Sequence, residues 1–475
     1  MTGERASMSI HTVFATASIE TLLSGLESGQ WRALDLVETS LARIEALDRQ
    51  GPRLRALAHV FAEQARAAAM ASDERRRTGQ PPGLLEGIPV LVKDNMDVAG
   101  WPTTAGARAL VGLTADGDAT MTRRLRQAGA VIVGKSAMHE LAAGITGASS
   151  LTGFARNPHA LNRSPGGSSS GAAVAVAAGY VPLAIGSDTA GSVRIPSAFN
   201  NLYALRASRG ALPLDGILPL SPTQDMPGPI TRYAGDLERA FAVLSQKPYA
   251  DTRGRADVSI GVLDAWFADR NETAHDLSAI AYRAVERLEA LGARQASVDC
   301  PDLRDAVDQA NVIAYEFADA LAADLATRPT SPVDSLKSLI EKDLHHEQMA
   351  AVLRSRADHA GMGSPEYRQA LACQRALHER IEAVMTERQL DVLCYPTTRH
   401  PPASLGAVQD GINTLLAPVT GMPAINLPIG LDRQGLPVGL ELLARSGHEA
   451  TLLAIARAWD EAGPAWSLPA ALRTE

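Results

Sequence analysis

The chain is 475 residues long, 46% hydrophobic and 21% charged, with a formal net charge of -8. That balance belongs to a folded protein with ample length for a large core, and it excludes a disordered chain. The densest basic run, Arg75-Arg76-Arg77, reads as the solvated end of a helix, so no nucleic-acid partner is expected.

From Ser18 to about Arg77, Leu22, Leu23 and Leu26, then Leu36, Val37, Leu41 and Ile44, then an alanine-rich stretch, recur at helical spacing. They predict a helical N-terminal layer over about 18–78, closed by Pro81-Pro82-Gly83. Ile88-Pro89-Val90-Leu91-Val92 predicts a buried strand that delivers Lys93, Asp94 and Asn95 at its C-terminal end. A helix (Thr120–Ala128), a strand (130–134), a small-residue helix (Ala172–Ala178) and a strand (Leu183–Ile185) follow. Further strands are expected at 260–263, 391–395, 424–429 and 438–443, with long helices over Leu303–Ala326 and Glu366–Thr386. This alternation is that of an α/β protein. No repeat or linker cuts the chain, so a single domain over 1–475 is expected, with a candidate helical lobe at about 275–385.

Cys300, Cys373 and Cys394 lack C-x-x-C spacing, which argues against a disulfide framework or a Cys-rich zinc site. Cys394, inside Val392–Tyr395, reads as a small buried hydrophobe. His139-Glu140 and His345-His346-Glu347 do not make H-E-x-x-H and read as surface or helix-cap residues, so no metal is expected. The N-terminus has no unbroken apolar signal region, and no window reaches the ~18 apolar residues of a membrane span. A cytoplasmic protein with no membrane association is the expectation.

The informative block runs from Ser164 to Arg194. No Lys follows Gly171, so it is not a phosphate loop. A flexible linker would not lead into an apolar helix and strand. Gly167-Ser168-Ser169-Ser170-Gly171 matches the G-x-S-x-G nucleophile elbow, which would make Ser169 the nucleophile, but turn residues precede it where an elbow needs a strand. Gly186-Ser187-Asp188-Thr189-Ala190-Gly191-Ser192 follows a strand, and such a turn can aim successive N–H groups at a developing oxyanion beside a serine.

This block resembles the Ser/Gly-rich signature of the amidase signature family. The resemblance extends to Leu85–Asn95, Ala128–Lys135, Gly421–Ala424 and Leu436–Leu440, covering about residues 18–462. It implies a large twisted mixed sheet covered by helices on both faces, and hydrolysis of a small-molecule carboxamide without a cofactor. It makes Ser192 the nucleophile, Ser168 a bridging serine on a cis peptide, and Lys93 the base, with Thr189, Ala190, Gly191 and Ser192 forming the oxyanion hole. Ser169, Asp188, Arg194 and Gln224 are expected to touch substrate or support the site, Arg194 and Asp188 by bracing the turn. A lysine is a base near neutral pH only when its pKa is depressed, which the apolar run before Lys93 favours and Asp94 would oppose.

The sequence departs from the family after the nucleophile. The family commonly shows Cys-Gly and then Gly-x-Lys-Pro-Thr, where this chain reads Asn200-Asn201 and Arg206-Ala207-Ser208. The Asn pair resembles allophanate hydrolases. The substrate therefore stays open, as does a second reading, the glutaminase subunit of a glutamyl-tRNA amidotransferase with partner chains. The pocket is expected from residues within 275–385 and near the C-terminus, and the family suggests a homodimer.

Overall fold

A computed structural model describes residues 10–248, 257–267, 276–463 and 466–472. Among the described residues eleven strands are formed: β1 (Leu57–Val60), β2 (Pro89–Lys93), β3 (Val131–Ser136), β4 (Leu183–Asp188), β5 (Tyr203–Arg206), β6 (Met226–Thr231), β7 (Ser259–Val262), β8 (Arg294–Ser297), β9 (Val392–Pro396), β10 (Ala424–Leu431) and β11 (Pro437–Ala444). They make one sheet in the order β1-β3-β2-β4-β6-β5-β10-β11-β9-β7-β8. The pairs β3/β2, β2/β4, β9/β7 and β7/β8 are parallel, and those from β4 through β6, β5, β10 and β11 to β9 are antiparallel. The expected mixed α/β architecture is therefore what forms.

Strands β2, β3, β4 and β9 are buried along their whole length, as their near-continuous apolar runs dictate. The helix Ser170–Ala177, SGAAVAVA, is buried on every side. A helix without a polar face is a buried one, and small side chains let its neighbours approach closely. Cys394 is buried on β9, as its apolar context predicts.

Four strands were not expected. β6 reads MPGPIT, and its two prolines and glycine signal a break, yet it pairs with β4 from Leu183↔Thr231 to Asp188↔Met226. β5 is a short strand beside it, and β8 is a polar, exposed strand at one edge of the sheet. β1 interrupts the predicted N-terminal helical layer and forms the other edge.

The predicted helix 303–326 is two helices, Leu303–Gln309 and Ile313–Leu325. At the break, Val312 N–H donates to Gln224 Oε1 (2.8 Å) and Asn311 Oδ1 accepts from Ile313 N–H (3.2 Å). The region 275–385 contributes to three clusters, the smallest being Leu277 and Ile280 with Val438. Leu303, Val307, Leu377 and Ile381 join the main core, whereas Phe317, Leu321, Leu339 and Leu353 pack on Leu110, Met138 and Leu220 in a separate one. Among the described residues no helix is long and apolar enough to cross a membrane.

Candidate active site

The sheet register brings the signature together. Val90, Leu91 and Val92 on β2 stand beside Leu183, Ala184 and Ile185 on the parallel neighbour β4, so the two strand ends open at one place. There Lys93, fully buried, sets its Nζ 2.7 Å from Ser168 Oγ, 2.9 Å from Ser187 Oγ and 3.2 Å from Ser187 O. Burial pushes its pKa down to about 7, against the opposing pull of Asp188 and Asp225. The opposing charge expected from Asp94 is not the one that acts. Asp94 instead pairs with Lys135 at 3.3 Å, accepts from Gly106 N–H at 3.0 Å, and accepts from Thr104 Oγ1.

Ser168 follows a cis Gly167–Ser168 peptide. Its carbonyl accepts from His139 N–H (2.9 Å). Its neighbour Ser169 is fully buried, with its N–H on Ser192 O (3.0 Å) and its hydroxyl on Ser187 O (3.2 Å). Ser169 thus ties the signature loop to the turn, and the elbow geometry is absent because the preceding strand, β3, ended at Ser136. Gly171 has to be glycine, since a Cβ there would lie 2.2 Å from Ala56 O. The departure Asn200 staples this loop from below, donating to Pro165 O (2.9 Å) and Pro196 O (2.7 Å).

The turn after β4 is held by one carboxylate. Asp188 accepts from Gly191 N–H (2.9 Å) and Val193 N–H (3.1 Å), pairs with Arg194 (3.0 Å) and Arg206 (3.2 Å), and is fully buried. Burial alone would raise its pKa, but the two guanidinium groups hold it well below the carboxylate range. Arg194 reaches on to Glu441 and to Thr414 O (2.9 Å). Glu441, pushed up to about 7 by burial, also accepts from Tyr395 OH (3.0 Å). Asp188 and Arg194 thus link the turn to β11 and to the segment at Thr414.

Gly191 adopts φ 107°, and a Cβ there would lie 1.9 Å from Thr414 Oγ1, so no other residue fits. Because Gly191 N–H is committed to Asp188, it is engaged where the sequence reading expected an open donor. Thr189 is fixed by its hydroxyl on Asp225 Oδ1 (2.5 Å) and its carbonyl under Gln224 Nε2 (3.2 Å). Ser192 is buried at 3% exposure beside these groups.

Two residues the sequence reading passed over stand close in. Ser187 receives Lys93 on its hydroxyl and also accepts from Asn95 Nδ2 (3.1 Å). His139, read as a surface residue, is buried. Its Nδ1 faces the N–H groups of Gly147 (3.2 Å), Thr146 (3.3 Å) and Ala148 (3.3 Å), and burial pushes its pKa down to about 3. Glu140 is occupied by the N–H groups of Ser150 (2.8 Å) and His346 (3.0 Å), while His346 caps the turn at Gln348. The donors lie seven to nine positions beyond His139, and no periodicity announces such a nest.

A cavity of about 360 Å³ opens against the turn at Ala190 and Ile195, with Ile145, Trp266 and Leu415 on its apolar walls. This is the size of a small-molecule site. The rest of its lining comes from 304–311, within the expected region, and from 399–415, earlier in the chain than expected.

A family model described as Amidase matches residues 35–453. The chain belongs to the amidase signature family. It is 32% identical to a glutamyl-tRNA(Gln) amidotransferase subunit of Myxococcus xanthus, across 92% of this chain and 96% of that protein. The native peptide amidase of Stenotrophomonas maltophilia superposes with a TM-score of 0.86 at 31% identity, covering 96% of this chain and 99% of that one. An amidase family protein of Bacillus anthracis gives a TM-score of 0.86 at 26% identity, covering 97% and 93%. This family member is therefore an amidase-type enzyme acting on amide C–N bonds.

Proposed function

We propose that the chain hydrolyses a carboxamide through an acyl-enzyme on Ser192, with Lys93 as base and Ser168 as proton relay. The observation that carries this reading is a fully buried lysine whose Nζ lies 2.7 Å from Ser168 Oγ and, among the described residues, bonds only serine oxygens. A neutral amine there has two N–H groups for the carbonyl and hydroxyl of Ser187, leaving its lone pair for the Ser168 proton. As Ser192 Oγ attacks the amide carbon, its proton passes to Ser168 and that of Ser168 to Lys93. The C–N bond breaks as the proton returns by the same route to the leaving nitrogen, releasing ammonia or an amine. Water then hydrolyses the ester to the carboxylate. Thr189, Ala190 and Ser192 offer the N–H groups for the oxyanion, with Gly191 N–H holding the turn in shape.

Ammonia release from a panel of amides by wild type, Ser192→Ala and Ser169→Ala tests this. A loss of at least about a thousandfold in Ser192→Ala, with an acyl adduct on wild-type Ser192 by mass spectrometry, is expected. Loss confined to Ser169→Ala would restore the elbow reading. The similarity to amidotransferase subunits favours a second reading, a glutaminase working with partner chains. Glutamine hydrolysis that appears only with co-purifying subunits would select it.

A further inference from the structure

The cavity wall carries two cations. Arg304 and Arg399 both line it, both are half-buried, and they lie close enough to repel one another. Arg304 is held in place by neutral groups: Nη1 donates to Asn413 Oδ1 (3.1 Å), Nη2 donates to Ala265 O (3.0 Å), and its guanidinium lies 5.1 Å from the centre of the Trp266 ring. Arg399 Nε is buried in the cavity wall without a hydrogen-bond partner among the described residues. The acidic groups that feel this pair are Asp308, exposed at the cavity lip, and Asp410, which bonds His400 at 2.6 Å. Neither carboxylate forms an ion pair with either arginine. Other buried guanidinium groups are satisfied by the fold itself: Arg194 is matched by Asp188 and Glu441, and Arg232 by the carbonyls of Ala17, Val176 and Val181. Two neighbouring guanidinium groups, one of them held in place and neither ion-paired among the described residues, line a ligand-sized cavity, and a planar anion would match them.

We infer that Arg304 and Arg399 form a carboxylate subsite, so that the substrate of this amidase carries a free carboxylate remote from its scissile amide. The inference rests on the Ser192 reading for the position of that amide. The apolar walls at Trp266 and Leu415 then suit the carbon chain between the two groups.

The test pairs each ω-amide acid with its neutral counterpart: succinamate with butanamide, glutaramate with pentanamide, adipamate with hexanamide. Wild type should favour the best acid over its partner by about tenfold or more in kcat/KM. In Arg304→Gln and Arg399→Gln that ratio should fall about tenfold. Equal ratios in wild type and both variants would overturn the subsite. Calorimetric titration with glutarate and adipate reads the subsite without turnover. Binding that weakens about tenfold in each variant is expected, and no binding by wild type also overturns it. Ammonia release that survives Ser192→Ala would overturn the Ser192 reading instead, and the titration alone would then decide whether the arginines bind a carboxylate.

Discussion

Two fully buried lysines stand on neighbouring strands of this sheet, and they are put to opposite uses. Lys135, on β3, lies 3.3 Å from Asp94 and donates to Thr103 Oγ1 at 3.1 Å. Lys93, on β2, meets serine oxygens and no ion-paired carboxylate. Burial lowers the pKa of both, but only Lys135 has a carboxylate in contact to hold its proton. One is a brace and the other is poised as a base. Partner chemistry separates them, since burial is the same.

Replacing each lysine by methionine should break the pair in two different ways. Lys93→Met is expected to lose at least about a thousandfold in kcat/KM and to unfold at the same or a higher denaturant midpoint. Lys135→Met leaves Asp94 buried without its cation, at a cost of about 3–5 kcal/mol in urea unfolding. Similar losses of stability in both variants would mean that Lys93 is also a paired structural charge.

pH sharpens the same contrast. With the Lys93 pKa near 7, kcat/KM should rise with pH through about 7 and fall about tenfold per unit below it, as the amine takes up its proton. Stability moves with the same group. Its folded pKa is depressed below the ordinary 10.5, so the unfolded chain holds more protons between those values and stability rises with pH across that window. The penalty is fully present below about pH 7, so the advantage of Lys93→Met should be greatest there and fade toward pH 10. A pH-independent difference between the two proteins would place the Lys93 pKa at its ordinary value.

These contrasts explain what could be read in advance. β2 and β4 announce themselves as apolar runs. Lys93, Ser168 and Ser192, far apart in the chain, were joined by family resemblance and not by spacing. Sequence adjacency misled at Asp94. Alternate residues of a strand face opposite ways, and Val92 is in register with Lys135, so position 94 turns toward Lys135 and away from Lys93. Strand β6 was hidden by Pro227 and Pro229. The cavity was out of reach because Ala190, Trp266, Arg304 and Arg399 come from four separate segments that meet only in the folded chain.

The smallest effect is expected at a third buried cation, Arg206, which stands where the family commonly has lysine. Its Nη1 donates to the backbone oxygen of Asp188 and lies 3.2 Å from the Asp188 carboxylate, while burial lowers its pKa to about 10. Its Nε and Nη2 are buried without partners among the described residues. Lysine would keep the charge that Asp188 needs while removing donors that have nothing to bond. Against that gain stands the shorter reach of an ammonium and the loss of planar geometry. These terms oppose one another, so Arg206→Lys should change unfolding stability by no more than about 1 kcal/mol and kcat/KM by less than about tenfold. Arg206→Met, by contrast, leaves Asp188 with Arg194 as its one paired cation and should cost clearly more. If both substitutions cost the same, the cationic charge at 206 is irrelevant to the turn, and Asp188 is held by Arg194 and the two N–H groups alone.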